Sequence, residues 1–207
     1  KNKARIQLFV KEKKQNQLDA LLGLLPSGEP EGMLKVNGNV NAHFHNQLNA
    51  GESILFHFQS LQNNSQELNL DFRLPYVFNL PFQFQSRFNL YRRDTLFQEV
   101  KGEIGALWSV GPQKTFRLST SFYSSYPLQF DTRAIILNKK LPASLEIRQT
   151  QLNAYWIWNN LSSSPIITKG FQSNFFISAN TRKILPSIAI TSLKDPEDSL
   201  YSFQKLY

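Results

Sequence analysis

The stretch GMLKVNGNVNAHFHNQL, residues 32–48, decides the fold because its side chains alternate without a break. From Leu34 to Phe44 every even position is apolar or small, and nearly every odd position carries Lys, Asn or His. Successive side chains of a β-strand point to opposite faces, so this period of two predicts one long strand with an apolar face and a polar face.

The same alternation recurs along most of the chain, separated by turn signals such as NAGE (Asn49 to Glu52) and RRDT (Arg92 to Thr95). It predicts about eleven long antiparallel strands and no helix. A shorter strand is expected over residues 4–10, before the charged KEKKQNQ linker. The long strands are predicted near residues 16–25, 34–44, 54–58, 68–74, 82–90, 100–110, 116–122, 130–136, 152–158, 169–180 and 199–207.

The composition excludes some classes of protein. The 207 residues contain no apolar run near the roughly 18 to 20 residues of a membrane helix. The net charge of +8 is scattered rather than clustered, which argues against nucleic acid as a partner. The absence of cysteine fits an oxidising compartment as well as a reducing one.

Two architectures fit the alternating strands. In a soluble sandwich or barrel the apolar face forms the core, whereas in a membrane barrel it meets lipid and the polar face lines a wet lumen. Strands longer than the usual 5 or 6 residues favour the membrane barrel. So do aromatic residues near the predicted strand ends, which suit an interfacial girdle. These aromatic residues are Phe78, Tyr91, Trp108, Tyr123, Tyr126, Trp156 and Trp158.

The three histidines, His43, His45 and His57, flank the predicted NAGE hairpin. A hairpin centred near Ala50 places His43 opposite His57, with His45 on the same face. Three imidazoles can bind zinc, so these residues are weak candidate metal ligands. We favour the simpler interpretation, a polar lumen wall that uses histidine, and expect no metal and no cofactor.

Carboxylates on the predicted polar face could form an acid–base pair. We instead expect them to form ion pairs with cations of neighbouring strands, and no nucleophile, phosphate-loop or zinc-protease motif is present. The sequence therefore predicts a protein that is not an enzyme. The carboxylates are Asp71, Glu99, Glu103 and Asp131, and the expected partners are Arg73, Arg87, Lys101, Arg117 and Arg133.

Three stretches resemble BamA/TamA-type outer-membrane assembly proteins of the surface-antigen, POTRA-barrel superfamily, in a Bacteroidetes-like form. VKEKKQNQLDALLGLLP (10–26) resembles their junction between the last POTRA domain and the barrel. LPYVFNLPFQFQSRFNLYRRDTLFQ (74–98) resembles a strand–turn–strand segment, and SSSPIITKGFQSNFFISAN (162–180) resembles the start of a later strand. The three stretches also occur in the order that the family has.

This resemblance implies the amino-terminal part of a sixteen-stranded transmembrane barrel. Residues 1–15 would be the end of the last POTRA-like domain and its linker, and residues 16–207 a barrel incomplete at its carboxyl end. The family's RGF motif is absent; alternatively, SLYSFQKLY (199–207) ends a smaller, complete barrel.

A topology follows from the same resemblance. It implies the bacterial outer membrane, a periplasmic amino terminus and an extracellular PSGEPEG loop (26–32). NAGE, PYVFNLP (75–81), GPQK (111–114) and KKLPAS (139–144) would be periplasmic, and NNLSSSPIIT (159–168) extracellular.

The functional site implied by the resemblance is the backbone edge of strand one. That edge opens laterally and adds a client strand through main-chain hydrogen bonds. The expected partners are outer-membrane lipids, nascent outer-membrane proteins or a translocated polypeptide, and accessory assembly subunits. A passive pore or two-partner-type translocator, and a soluble ligand-binding β-barrel, remain alternatives. The client-binding residues would be Leu18, Asp19, Ala20, Leu21, Leu22, Gly23, Leu24 and Leu25, among which Gly23 would weaken the edge.

Overall fold

The computed structural model describes residues 7, 9, 15–26, 34–60, 65–142, 145–161 and 169–193. In these ranges the chain forms nine antiparallel strands, each hydrogen-bonded to the next along the sequence, in one sheet of order β1 to β9. The strands are β1 Gln17–Pro26, β2 Leu34–His45, β3 Ser53–Ser60, β4 Gln66–Leu74, β5 Phe82–Arg93, β6 Phe97–Val110, β7 Lys114–Pro127, β8 Glu146–Asn159 and β9 Gln172–Leu185.

The all-β antiparallel prediction is confirmed, and nine of the predicted long strands are present. Residues 199–207 lie outside the described residues, as does most of the short strand expected over residues 4–10. The predicted strand at 130–136 is wrong, because this segment forms helix α1, Thr132–Asn138. The expectation of no helix is also wrong, since the described residues add α2, Ile188–Thr191, and a 3-10 helix at Val77–Asn79.

Local capping explains why α1 is a helix. The side chain of Asp131 accepts a hydrogen bond from the backbone N–H of Ala134 at 3.0 Å, and Lys139 ends the helix in the left-handed conformation. The buried Ile135 packs against Ile190 of α2. This contact lies off the alternating face that the sequence suggested. Asp131 is therefore a helix cap rather than a strand carboxylate.

The helix also changes which loops share an end of the sheet. Because α1 replaces a strand, the described part of KKLPAS, 139–142, lies at the end of the sheet that carries the Arg93–Phe97 turn. The described part of NNLSSSPIIT, 159–161, lies at the end that carries NAGE and GPQK. The prediction that KKLPAS shares one side of the membrane with NAGE and GPQK, and that NNLSSSPIIT lies on the opposite side, was therefore wrong. The PSGEPEG loop lies outside the described residues, except for Pro26 at the end of β1.

The cross-strand register divides the sheet into two faces. We call the face that contains Ala42, Phe56, Leu70 and Phe88 the outer face, and the alternate face, which contains His43 and Asp71, the inner face. Large apolar side chains of the outer face are exposed, including Leu22 at 77% and Leu152 at 55%. Among the described residues the buried apolar side chains are only Ala42, Ile135 and Ile190. No second layer of these residues covers the outer face.

The loop between β2 and β3 is organised by one carboxylate. Glu52 is 1% exposed, and its side chain accepts hydrogen bonds from the backbone N–H groups of Leu48 at 2.6 Å and Ala50 at 3.2 Å. Asn46 and Gly51 adopt positive φ and are joined by a side-chain hydrogen bond. The bond from Leu48 is the main cause that lowers the pKa of Glu52 below its ordinary value.

We expect this carboxylate to make folding stability depend on pH. A lowered folded-state pKa stabilises the fold above the unfolded pKa, and this stabilisation is lost as the pH falls through the folded pKa. The Glu52→Gln variant is therefore expected to melt below wild type at pH 7, with the gap closing in strong acid. Thermal unfolding in detergent from pH 7 to pH 3 measures this gap, and a gap that is constant over that range would contradict the assignment.

No helix among the described residues is both long enough and apolar enough to cross a membrane.

Candidate functional site: the inner wall and the sheet edges

The inner face is a concave, polar wall. Side chains from β1 to β8 line a cavity of ≈ 860 Å³, which requires the sheet to curl with its inner face inside. Most inner-face side chains that line it are amides, histidines and charged groups, with Leu55 among the apolar exceptions, so the wall suits water better than lipid. Its residues include Asp19, Asn41, His57, Asn69, Asn89, Lys101, Glu103 and Gln149.

Hydrogen bonds connect the wall from strand to strand. Gln85 donates to Asp71 at 3.0 Å, Tyr123 donates to Glu99 at 2.9 Å, and Asn89 donates to Asn69. Polar groups that satisfy one another in this way form a fixed surface. This mutual pairing is typical of a structural polar surface.

The predicted ion pairs are present in part. Arg87 and Arg117 both contact Glu103, the former at 2.8 Å, so this carboxylate links three neighbouring strands as expected. Two other pairs differ from the prediction because both partners lie on one strand, two residues apart. These pairs are Arg73 with Asp71 at 2.8 Å and Lys101 with Glu99 at 3.0 Å.

The histidines do not have the predicted arrangement. His43 lies opposite Leu55, and His57 lies opposite Asn41 and hydrogen-bonds to its side chain. The predicted pairing of His43 with His57 is wrong because the NAGE loop is displaced from the assumed centre. His43 and His45 have ring centroids 3.8 Å apart. Among the described residues, no group of three or more His, Cys, Asp or Glu is placed to hold a metal ion.

The predicted girdle divides between the two faces. Trp108, Trp156 and Trp158 lie on the outer face, near the end of the sheet that carries GPQK. Tyr91 and Tyr123 lie on the inner face, so they do not belong to an outer girdle. The alternation of side chains could have separated the two sets, because the three tryptophans occupy even positions and these tyrosines occupy odd positions.

The predicted client-binding residues lie on β1, which forms one edge of the described sheet. β1 pairs with β2 on one side, and no described strand pairs with its other side. Leu18, Leu22 and Leu24 are exposed on the outer face, and Leu21 is 74% exposed on the inner face. At Gly23 the nearest atom to an added Cβ is 3.9 Å away, so this position is open. Leu25 lies within β1, opposite Lys35.

The sequence did not single out the edge at β9. This strand pairs only with β8 among the described strands. Phe175 and Ile177 are exposed on its outer face, and the ring of Phe176 stacks on Tyr155 on the inner face with centroids 4.5 Å apart. The run of apolar residues at 175–177 is the signal that could have indicated this edge.

The fold is similar to a solved structure, the crystal structure of BamA from Haemophilus ducreyi lacking POTRA domains 1-3. The TM-score is 0.51 and the sequence identity is 15%. The match covers 85% of this chain and 35% of that chain, so this chain spans about a third of that chain's length. At this identity the likeness shows the fold alone. No protein-family model matches the chain, and no curated protein matches it.

Proposed function

We propose that this chain is part of a BamA-like outer-membrane barrel that assembles or translocates proteins, and that it engages client strands at the edge of β1. The observation that carries the proposal is a curled sheet that has exposed apolar side chains on its outer face, a mostly polar inner face, and exposed leucines on its edge strand β1. The BamA-like fold supports the same interpretation. The barrel would have sixteen strands, of which the nine described form a part.

In the described strands the outer face has an uncharged band between its charged ends, which we call the apolar belt. The height of this belt supports the placement in a membrane. On the outer face of β8, Arg148 lies ten residues from Trp158, and the outer-face residues between them are uncharged. Ten residues span about 34 Å along a strand. At the tilt of about 40° usual in barrels, this is about 26 Å along the barrel axis, close to the roughly 25 Å apolar band of outer-membrane barrels.

In this proposal the lumen wall is structural and there is no catalytic step. The amino terminus would be periplasmic, and the partners would be outer-membrane lipids, nascent outer-membrane proteins and accessory assembly subunits. Client binding would be β-augmentation, in which main-chain hydrogen bonds give affinity without requiring one sequence. The exposed leucines on both faces of β1 would cover the apolar residues of the incoming strand.

Site-specific crosslinking tests the client-binding edge. The chain contains no cysteine, so each introduced thiol is unique. We expect Leu22→Cys in bilayer-reconstituted protein to form disulfides with cysteines of an unfolded outer-membrane barrel, several-fold more than Ile104→Cys. Ile104 is a matched control because it is 51% exposed on the same outer face of the interior strand β6.

Equal crosslinking at the two positions would contradict client binding at β1. A steady ionic conductance without client crosslinking would instead favour the passive pore, whose selectivity would come from the charged inner wall. A monodisperse chain in buffer without detergent would favour the soluble ligand-binding barrel.

A further inference from the structure

In the described strands the charges of the outer face lie only at its two ends. In the described strands this face carries four cations and one carboxylate, and every residue between the two ends is uncharged. Lys114 stands at one end, with its ammonium over the ring of Trp158 at 4.9 Å. The other end carries Arg92, Arg148, Lys183 and Glu146.

Arg148 and Lys183 form an unusual pair. They are direct partners in the register of β8 and β9, on the same face of the sheet. Directly opposed residues have Cβ atoms about 4.5 to 5.5 Å apart, and like charges in this position repel each other. Both side chains are exposed, with the side chain of Arg148 58% accessible. The fold therefore places two cations side by side at the rim of an apolar belt.

The described residues only partly neutralise this pair. Glu146 approaches Arg148 at 3.4 Å, and no described carboxylate forms an ion pair with Lys183. Ser124, opposite Arg148 on β7, adds a hydroxyl to the same row. Two cations and a hydroxyl beside an apolar surface match the chemistry of a lipid phosphate, whose acyl chains would lie along the belt.

We propose that Arg148 and Lys183 form a binding site for the phosphate of an anionic lipid at the membrane rim. This inference rests on the proposed function, because it requires the outer face to meet a bilayer. It adds a specific lipid contact to that placement. The lipid phosphate would neutralise the repulsion between the two cations and hold β9 at a defined height in the membrane.

Spin-labelled lipids test the proposal. Wild-type protein would be reconstituted in phosphatidylcholine vesicles, and the motionally restricted fraction of labelled phosphatidylglycerol compared with that of labelled phosphatidylcholine. We expect the wild type to prefer the anionic lipid. The Arg148→Gln/Lys183→Gln double variant should lose roughly five-fold in relative association constant for each cation removed.

The matched control is Arg182→Gln. Arg182 neighbours Lys183 in the sequence but lies on the inner face, opposite Gln149, so its replacement removes a positive charge without touching the pair. It should leave the lipid preference unchanged. An equal loss in this variant, no loss in the double variant, or full competition by inorganic phosphate would overturn the proposal. Insertion without any lipid preference would overturn only this inference, whereas failure to insert in vesicles would contradict the membrane placement itself.

Discussion

Replacing Leu152 with Arg is expected to destabilise the protein in a lipid bilayer by about 2 to 4 kcal/mol, the cost of a cation at the bilayer midplane on the lipid-facing side of a barrel. Leu152 lies on the outer face, between Trp158 and Arg148 on β8, and is 55% exposed. Urea unfolding in phosphatidylcholine vesicles, followed by tryptophan fluorescence, measures the change.

The adjacent residue supplies the control. Gln151 lies on the inner face, where the hydroxyl of Ser121 donates to its side-chain oxygen at 3.2 Å. A cation on this wet wall is expected to change stability by about 0.5 kcal/mol or less. If Gln151→Arg cost as much as Leu152→Arg, or more, the assignment of the two faces would be reversed or absent.

Replacing Gly105 with Ala is expected to cost about 1 to 3 kcal/mol by overpacking the contact between β6 and β7. A Cβ added at Gly105 would lie 2.8 Å from the Cβ of Ser119 and 3.1 Å from the carbonyl oxygen of Leu118. Ser119 is 2% exposed, so it has little room to move.

Gly23→Ala is the matched control for this prediction. Gly23 is also an inner-face strand glycine, but the nearest atom to its added Cβ is 3.9 Å away. Its replacement should be neutral or slightly stabilising, because alanine restricts the unfolded chain. The Gly105→Ala/Ser119→Gly double variant should recover part of the lost stability. Unfolding midpoints in detergent measure all three variants, and equal effects at Gly105 and Gly23 would refute the packing explanation.

Alternation of side chains was enough to predict most of the sheet. Strands β1 and β2 fall within one residue of their predicted bounds at each end, because turn-forming or polar residues bound both and the alternation is unbroken in β2. The prediction failed at 130–136, where Phe130, Ala134 and Ile136 imitate a strand. The capping hydrogen bond from the Ala134 N–H to Asp131 and the contact of Ile135 with Ile190 favour a helix instead. That contact joins segments far apart in sequence, which a local pattern does not report.

The candidate site was predictable to a similar extent. The polar inner wall and the outer-face leucines of β1 follow from the alternation of side chains along the strands. The ion-pair partners of individual charged residues do not follow from it. Arg117 reaches Glu103 although Ser121, not Arg117, is the register partner of that carboxylate. The length of the arginine side chain decides this contact. The pairing of Arg148 with Lys183 depends on the length of the connection from β8 to β9, which alternation leaves undetermined.

The central claim is that the outer face meets lipid and the inner face meets water. Spin labels at Leu152→Cys and Gln151→Cys test it most directly, because the chain has no native cysteine and the two residues are neighbours on opposite faces of β8. In bilayers we expect the label at position 152 to be relaxed by apolar oxygen and the label at position 151 by a water-soluble nickel complex. Two labels with the same accessibility, or the reverse pattern, would contradict the claim.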